Sequence, residues 1–70
     1  MADKVRIEAA NEILTAETVM ELHRRTGENI NQILEKFLPS RTNRLIYDLQ
    51  TTQRFLGPYA LAEEYLEEIR

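Results

Sequence analysis

Residues 15–40 read Thr-Ala-Glu-Thr-Val-Met-Glu-Leu-His-Arg-Arg-Thr-Gly-Glu-Asn-Ile-Asn-Gln-Ile-Leu-Glu-Lys-Phe-Leu-Pro-Ser, from Thr15 to Ser40. This stretch predicts two helices around a tight turn at Gly27. Thr15 is a good N-cap for the first, with Leu14 and Val19 at the spacing of a hydrophobic staple. Glu17 in the first turn and Arg24 and Arg25 in the last suit the helix dipole. Gly27 falls where a helix end wants a left-handed residue. Asn29 can cap the second helix, with Gln32 in the N3 position of a capping box. Ile30, Ile33, Leu34, Phe37 and Leu38 then form one apolar stripe, which Pro39 ends.

Outward from the centre, residues 3–14 are ambiguous. Val5, Ile7 and Ala9 alternate as in a strand, whereas Ala9, Ala10, Ile13 and Leu14 repeat as in a helix. A strand would need a partner strand that the rest of the chain does not supply. The reading is therefore a helix from about Ile7, with residues 1–6 loose or briefly extended. On the other side, Ser40 can cap a third helix over residues 41–56, with Leu45, Ile46, Leu49 and Leu56 on one face. Gly57 and Pro58 stop it, glycine supplying a left-handed residue and proline serving as N1 of a fourth helix near 59–69. Leu61, Ala62, Tyr65, Leu66 and Ile69 form that helix's stripe. Phe55, Tyr59 and Tyr65 gather around the Gly57-Pro58 corner, where Tyr47 can join them.

The expected fold is all-α, a compact bundle of three to five short helices in one domain spanning residues 1–70. Its expected core is Val19, Leu22, Ile33, Leu34, Phe37, Leu45, Leu49 and Leu66. A chain of 70 residues supports one small core, burying about 60% of its unfolded surface. There is no cysteine, so neither disulfides nor thiolate metal sites supplement that core. No apolar run reaches the ~18 residues of a membrane span, and residues 1–6 lack the apolar centre of a signal peptide. The expectation is a soluble, cytoplasmic protein.

The formal charge of −3 is unevenly spread. Residues 1–18 carry Lys4 and Arg6 against Asp3, Glu8, Glu12 and Glu17, net −2. Residues 19–54 carry Arg24, Arg25, Lys36, Arg41, Arg44 and Arg54 against Glu21, Glu28, Glu35 and Asp48, net +2. Residues 55–70 carry Arg70 against Glu63, Glu64, Glu67 and Glu68, net −3. Acidic ends around a mildly basic middle disfavour non-specific nucleic-acid binding, which needs many phosphate contacts.

Enzyme signals are lacking. Two glycines make no phosphate-cradling loop, and no serine sits in a glycine-flanked nucleophile elbow. His23 is the only histidine and has no second ligand at i+4, so it reads as a solvent-facing helix residue rather than a metal ligand. The expectation is no catalytic residue, no metal, no cofactor and no small-molecule substrate. The acidic set Glu63, Glu64, Glu67 and Glu68 reads first as a solvated face and second as a patch for a basic protein surface. Arg24, Arg25, Arg41, Arg44, Arg54 and Tyr59 complete the partner-binding candidates, Tyr and Arg being over-represented at binding hot spots.

From Ala16 to Leu38, about a third of the chain, the sequence resembles helix-turn-helix DNA readers: two helices joined by a short glycine-containing turn, with Leu22 before and Ile33 after it. That resemblance implies Asn29, Asn31 and Gln32 at base edges and Arg24, Arg25, Arg41 and Arg44 near phosphates. His23 stands where the motif has a small residue, and Glu28 where it has an apolar one. In size, charge and lack of catalytic groups, with no motif, the chain is also similar to small phage-encoded regulators that bind host RNA polymerase. That likeness implies a regulator in the host cytoplasm whose partner is a component of the transcription machinery. Sequence-specific DNA binding by a repressor or excisionase-like factor is the alternative.

Overall fold

A computed structural model describes the backbone of residues 2–51 and 56–70 and the side chains of residues 12–48 and 56–70. Four helices lie among the described residues: α1 (Ala2–Thr26), α2 (Ile30–Phe37), α3 (Arg41–Thr51) and α4 (Pro58–Glu68). The fold is an all-α bundle, as the sequence predicts. Expectations for Leu49, Arg54 and Phe55 lie outside the described side chains.

The first helix departs from expectation. It is continuous from Ala2, so Thr15 is an interior residue and not a cap, and residues 2–6 are helical. The physical reason is that neither glycine nor proline interrupts residues 2–26, and a cap-type residue ends a helix only where the chain can leave it. The Thr15 hydroxyl instead donates to Asn43 Oδ1 at 3.0 Å, tying α1 to α3. A helix of 25 residues rises about 37 Å, which matches the long dimension of the molecule, 37 Å. The other helices pack along this rod: α1 meets α2, α3 and α4, and α3 also meets α4.

The ends of α1 and α2 follow local chemistry. Gly27 has φ 73°, and its N–H donates to His23 O at 2.9 Å, closing the helix with a left-handed residue. The Asn29 side chain accepts the Asn31 N–H at 2.8 Å and caps α2. Ser40 stands between α2 and α3: its hydroxyl donates to Phe37 O at 2.6 Å and accepts the Asn43 N–H at 3.1 Å. The stop after α3 differs from expectation. Gly57 is extended, φ −75° and ψ 170°, and is the N-cap of α4 rather than a left-handed residue, with Pro58 in the first turn.

Val19, Leu22, Ile33, Phe37, Ile46, Leu61, Ala62 and Tyr65 form the core, with Leu14, Leu34, Leu56 and Leu66 packed against it. Ile46, not Leu45, occupies the centre from α3, because Thr42 and Ile46, one turn apart, both point inward. Leu45 is only partly buried. Tyr65 belongs to this core and not to a satellite at the Gly57-Pro58 corner: its ring meets Phe37 edge-on at 5.1 Å. Burial, with Glu68 and Glu28 nearby, pushes its hydroxyl pKa up. The α2 stripe is narrower than its sequence suggests. Ile33 and Phe37 are buried, whereas Ile30 and Leu38 at its ends are exposed. An eight-residue helix offers only two turns to a neighbour, so its terminal apolar residues overrun the contact.

Candidate interaction surface

The basic residues near the end of α1 are held by acids. Glu21 accepts from Arg24 through Nε at 3.0 Å and Nη2 at 2.6 Å, and from Arg25 Nε at 2.7 Å. Arg24, then Arg25, hold the Glu21 carboxyl well below its ordinary range, at about 2, against a smaller opposing effect of burial. Arg25 goes further. Its Nη1 reaches Glu63 Oε1 at 2.7 Å, its Nη2 donates to Tyr59 O at 3.3 Å, and its guanidinium lies 4.2 Å from the Tyr59 ring centre. With its side chain 15% exposed, Arg25 is a clamp between α1 and the start of α4. Sequence distance hid this: the clamp spans 38 positions.

The acidic set of α4 is divided among separate tasks. Glu63 pairs with Arg25, and Glu67 with Arg70 at 3.1 Å. Glu68 reaches across to the start of α3. Its Oε2 accepts the Arg41 N–H at 2.9 Å, and its Oε1 accepts the Thr42 N–H at 2.9 Å and the Thr42 hydroxyl at 2.7 Å. A carboxylate that is unfavourable at the end of its own helix thus serves the positive end of another. Burial alone would raise the Glu68 pKa; the Thr42 hydroxyl and the Arg41 and Thr42 amides outweigh it and hold the pKa low. Glu64 is exposed and shares an open cleft of about 430 Å³ with Arg41, Arg44, Leu45, Asp48 and Glu68.

Of the residues named for DNA reading, Asn31 and Gln32 are exposed, and Asn29 is exposed but engaged in capping. His23 is partly buried, and its Nδ1 lies 2.6 Å from Glu28 O, so the ring also braces the turn. Among the described residues no group of three or more His, Asp or Glu is placed to hold a metal ion, and no helix is long and apolar enough to cross a membrane.

The surface that sequence reasoning missed is the outer side of α1. Ile13 is 62% exposed and Met20 53%, on the helix side opposite Thr18 and Leu22, and Ala16 between them is exposed too. Two grooves flank this strip, and Ala16 lines both. One, about 410 Å³, lies against Leu34, Leu38 and Tyr47; the other, about 950 Å³, lies against Gly27, Pro58 and Tyr59. Tyr59 is 65% exposed at its edge, with Arg25 near its ring. The available signal was that α1 carries apolar residues on two opposite sides, more than one core can cover.

Compared with known proteins, the chain matches no protein-family model, no curated protein and no solved structure.

Proposed function

We propose that this chain is a small non-enzymatic regulatory protein that acts by binding a protein partner, with a component of the transcription machinery such as RNA polymerase as the first candidate. The observation that carries protein binding is the outer side of α1, where Ile13, Ala16 and Met20 lie between two open grooves, one bordered by Tyr59. Contiguous exposed apolar surface with a polar rim marks interaction sites on small proteins. The transcription machinery enters only through likeness in size, charge and composition.

DNA reading is the second proposal, favoured by the exposure of Asn31 and Gln32 at the start of α2. Phosphate binding has fewer cations to draw on than the sequence suggests, because Glu21 and Glu63 hold Arg24 and Arg25.

Capture from a bacterial lysate, with and without nuclease, separates the two. Protein binding predicts that RNA polymerase subunits are retained after nuclease treatment. Loss of every captured protein on nuclease treatment contradicts it.

A further inference from the structure

The strip on α1 has the spacing of a coiled-coil seam. Ile13, Ala16, Met20 and His23 follow one another at intervals of three, four and three, the alternation of a and d positions. Glu12 and Glu17 then occupy the g and e positions, one on each side of the seam, and both are exposed. Neither makes an ion pair or side-chain hydrogen bond among the described residues. Arg24, the next e position, is already bound twice by Glu21. The seam is therefore apolar in the middle with acidic flanks near Ile13 and Ala16. Arg44 of α3 lines the groove on the Glu12 side, together with Glu12, Ala16 and Tyr47.

We infer that the outer face of α1 docks an amphipathic helix whose apolar seam is flanked by Lys or Arg. Charges at e and g select a partner by opposite sign. The same charges disfavour a second copy of this chain. In a parallel pair, Glu12 of one helix would face Glu17 of the other; in an antiparallel pair centred on Ala16, the two Glu17 residues would face each other. Like charges so placed cost stability and suppress the wrong pairing. Ala16 at a d position lets the incoming backbone come close, so the partner supplies the larger apolar side chains.

The inference rests on the protein-binding reading and is separable from it. The test is selection of binders to the full-length protein from a displayed library of amphipathic helical peptides, randomised at positions flanking a fixed apolar seam. The expected result is enrichment of Lys and Arg at those flanks. Binding should weaken about tenfold or more with Met20→Glu, which puts a charge into the seam. The double variant Glu12→Lys with Glu17→Lys should select Asp and Glu instead. Circular dichroism on each variant establishes that these exposed positions leave the fold intact. Acidic flanks, absence of binders, or binding indifferent to Met20→Glu would overturn the inference. So would a dimer in sedimentation that Met20→Glu dissolves, which would assign the face to a second copy. If nuclease-resistant capture of a protein partner survives Met20→Glu, protein binding stands and this surface is not its seat.

Discussion

Glu68, in the last turn of α4, caps α3 through Thr42: one carboxylate oxygen takes both the Thr42 N–H at 2.9 Å and its hydroxyl at 2.7 Å. Ser40 caps the same helix from its own side through the Asn43 N–H. Local sequence supplies one cap and tertiary structure the other. Glu68→Ala should cost about 1–2 kcal/mol, the range for losing a charged cap. Thr42→Val should cost less, and the two should be non-additive. A double-mutant cycle by urea unfolding measures the coupling; strict additivity would mean that the pair contributes nothing.

The pH dependence follows from the same carboxylate and from Glu21. Both pKa values are depressed in the folded state, Glu21 from 4.5 to about 2. The unfolded chain therefore binds protons first as pH falls. The stabilisation from these groups is complete above the ordinary carboxyl range and is lost as pH drops from about 4.5 toward the folded values. Thermal unfolding at pH 7, 4 and 3 should show a falling midpoint, and Glu68→Ala should flatten that slope. An equal slope in the variant would show that Glu68 does not contribute to the pH dependence.

Phe37 is fully buried and meets Tyr65 edge-on. Phe37→Ala should cost ~3–5 kcal/mol, enough to unfold much of the population of so small a domain. An unchanged melting curve would show that the core is elsewhere.

The two glycines should respond in opposite ways. A side chain at Gly27 meets nothing within 4 Å, but its φ of 73° is left-handed. Gly27→Val should thus destabilise by more than ~1 kcal/mol through the backbone alone. Gly57 also has open space, and its extended N-cap backbone suits any residue. Gly57→Ser should stabilise by roughly a few tenths of a kcal/mol by adding the cap hydrogen bond that α4 lacks. Comparing the two melting midpoints checks both signs.

The caps and stops that lie within a few residues of their targets were legible in the sequence: Gly27, Asn29, Ser40 and Pro58. The contacts that divide the α4 acids were not, because Glu63 and Glu68 find their partners 38 and 27 positions away. Thr15 misled for a related reason. A threonine can cap or sit inside a helix, and only the Asn43 contact from α3 shows which. The exposed apolar strip was obscured because α1 has apolar residues on both sides, and periodicity does not say which side the bundle covers.

DNA affinity should be weak. Arg24 and Arg25 are engaged with Glu21 and Glu63, and the acidic ends oppose phosphates. Fluorescence anisotropy with random and genomic duplexes at ~0.15 M salt should give no submicromolar binding. A submicromolar complex lost on Asn31→Ala would favour the helix-turn-helix reading.

The outer side of α1 is the surface proposed to bind a protein partner. The most direct test is quantitative capture from nuclease-treated lysate by the wild-type chain and by Met20→Glu, each shown to be folded. RNA polymerase subunits, or another specific protein partner, should be captured by the wild type and reduced about tenfold or more by Met20→Glu. Equal capture by both proteins would contradict it.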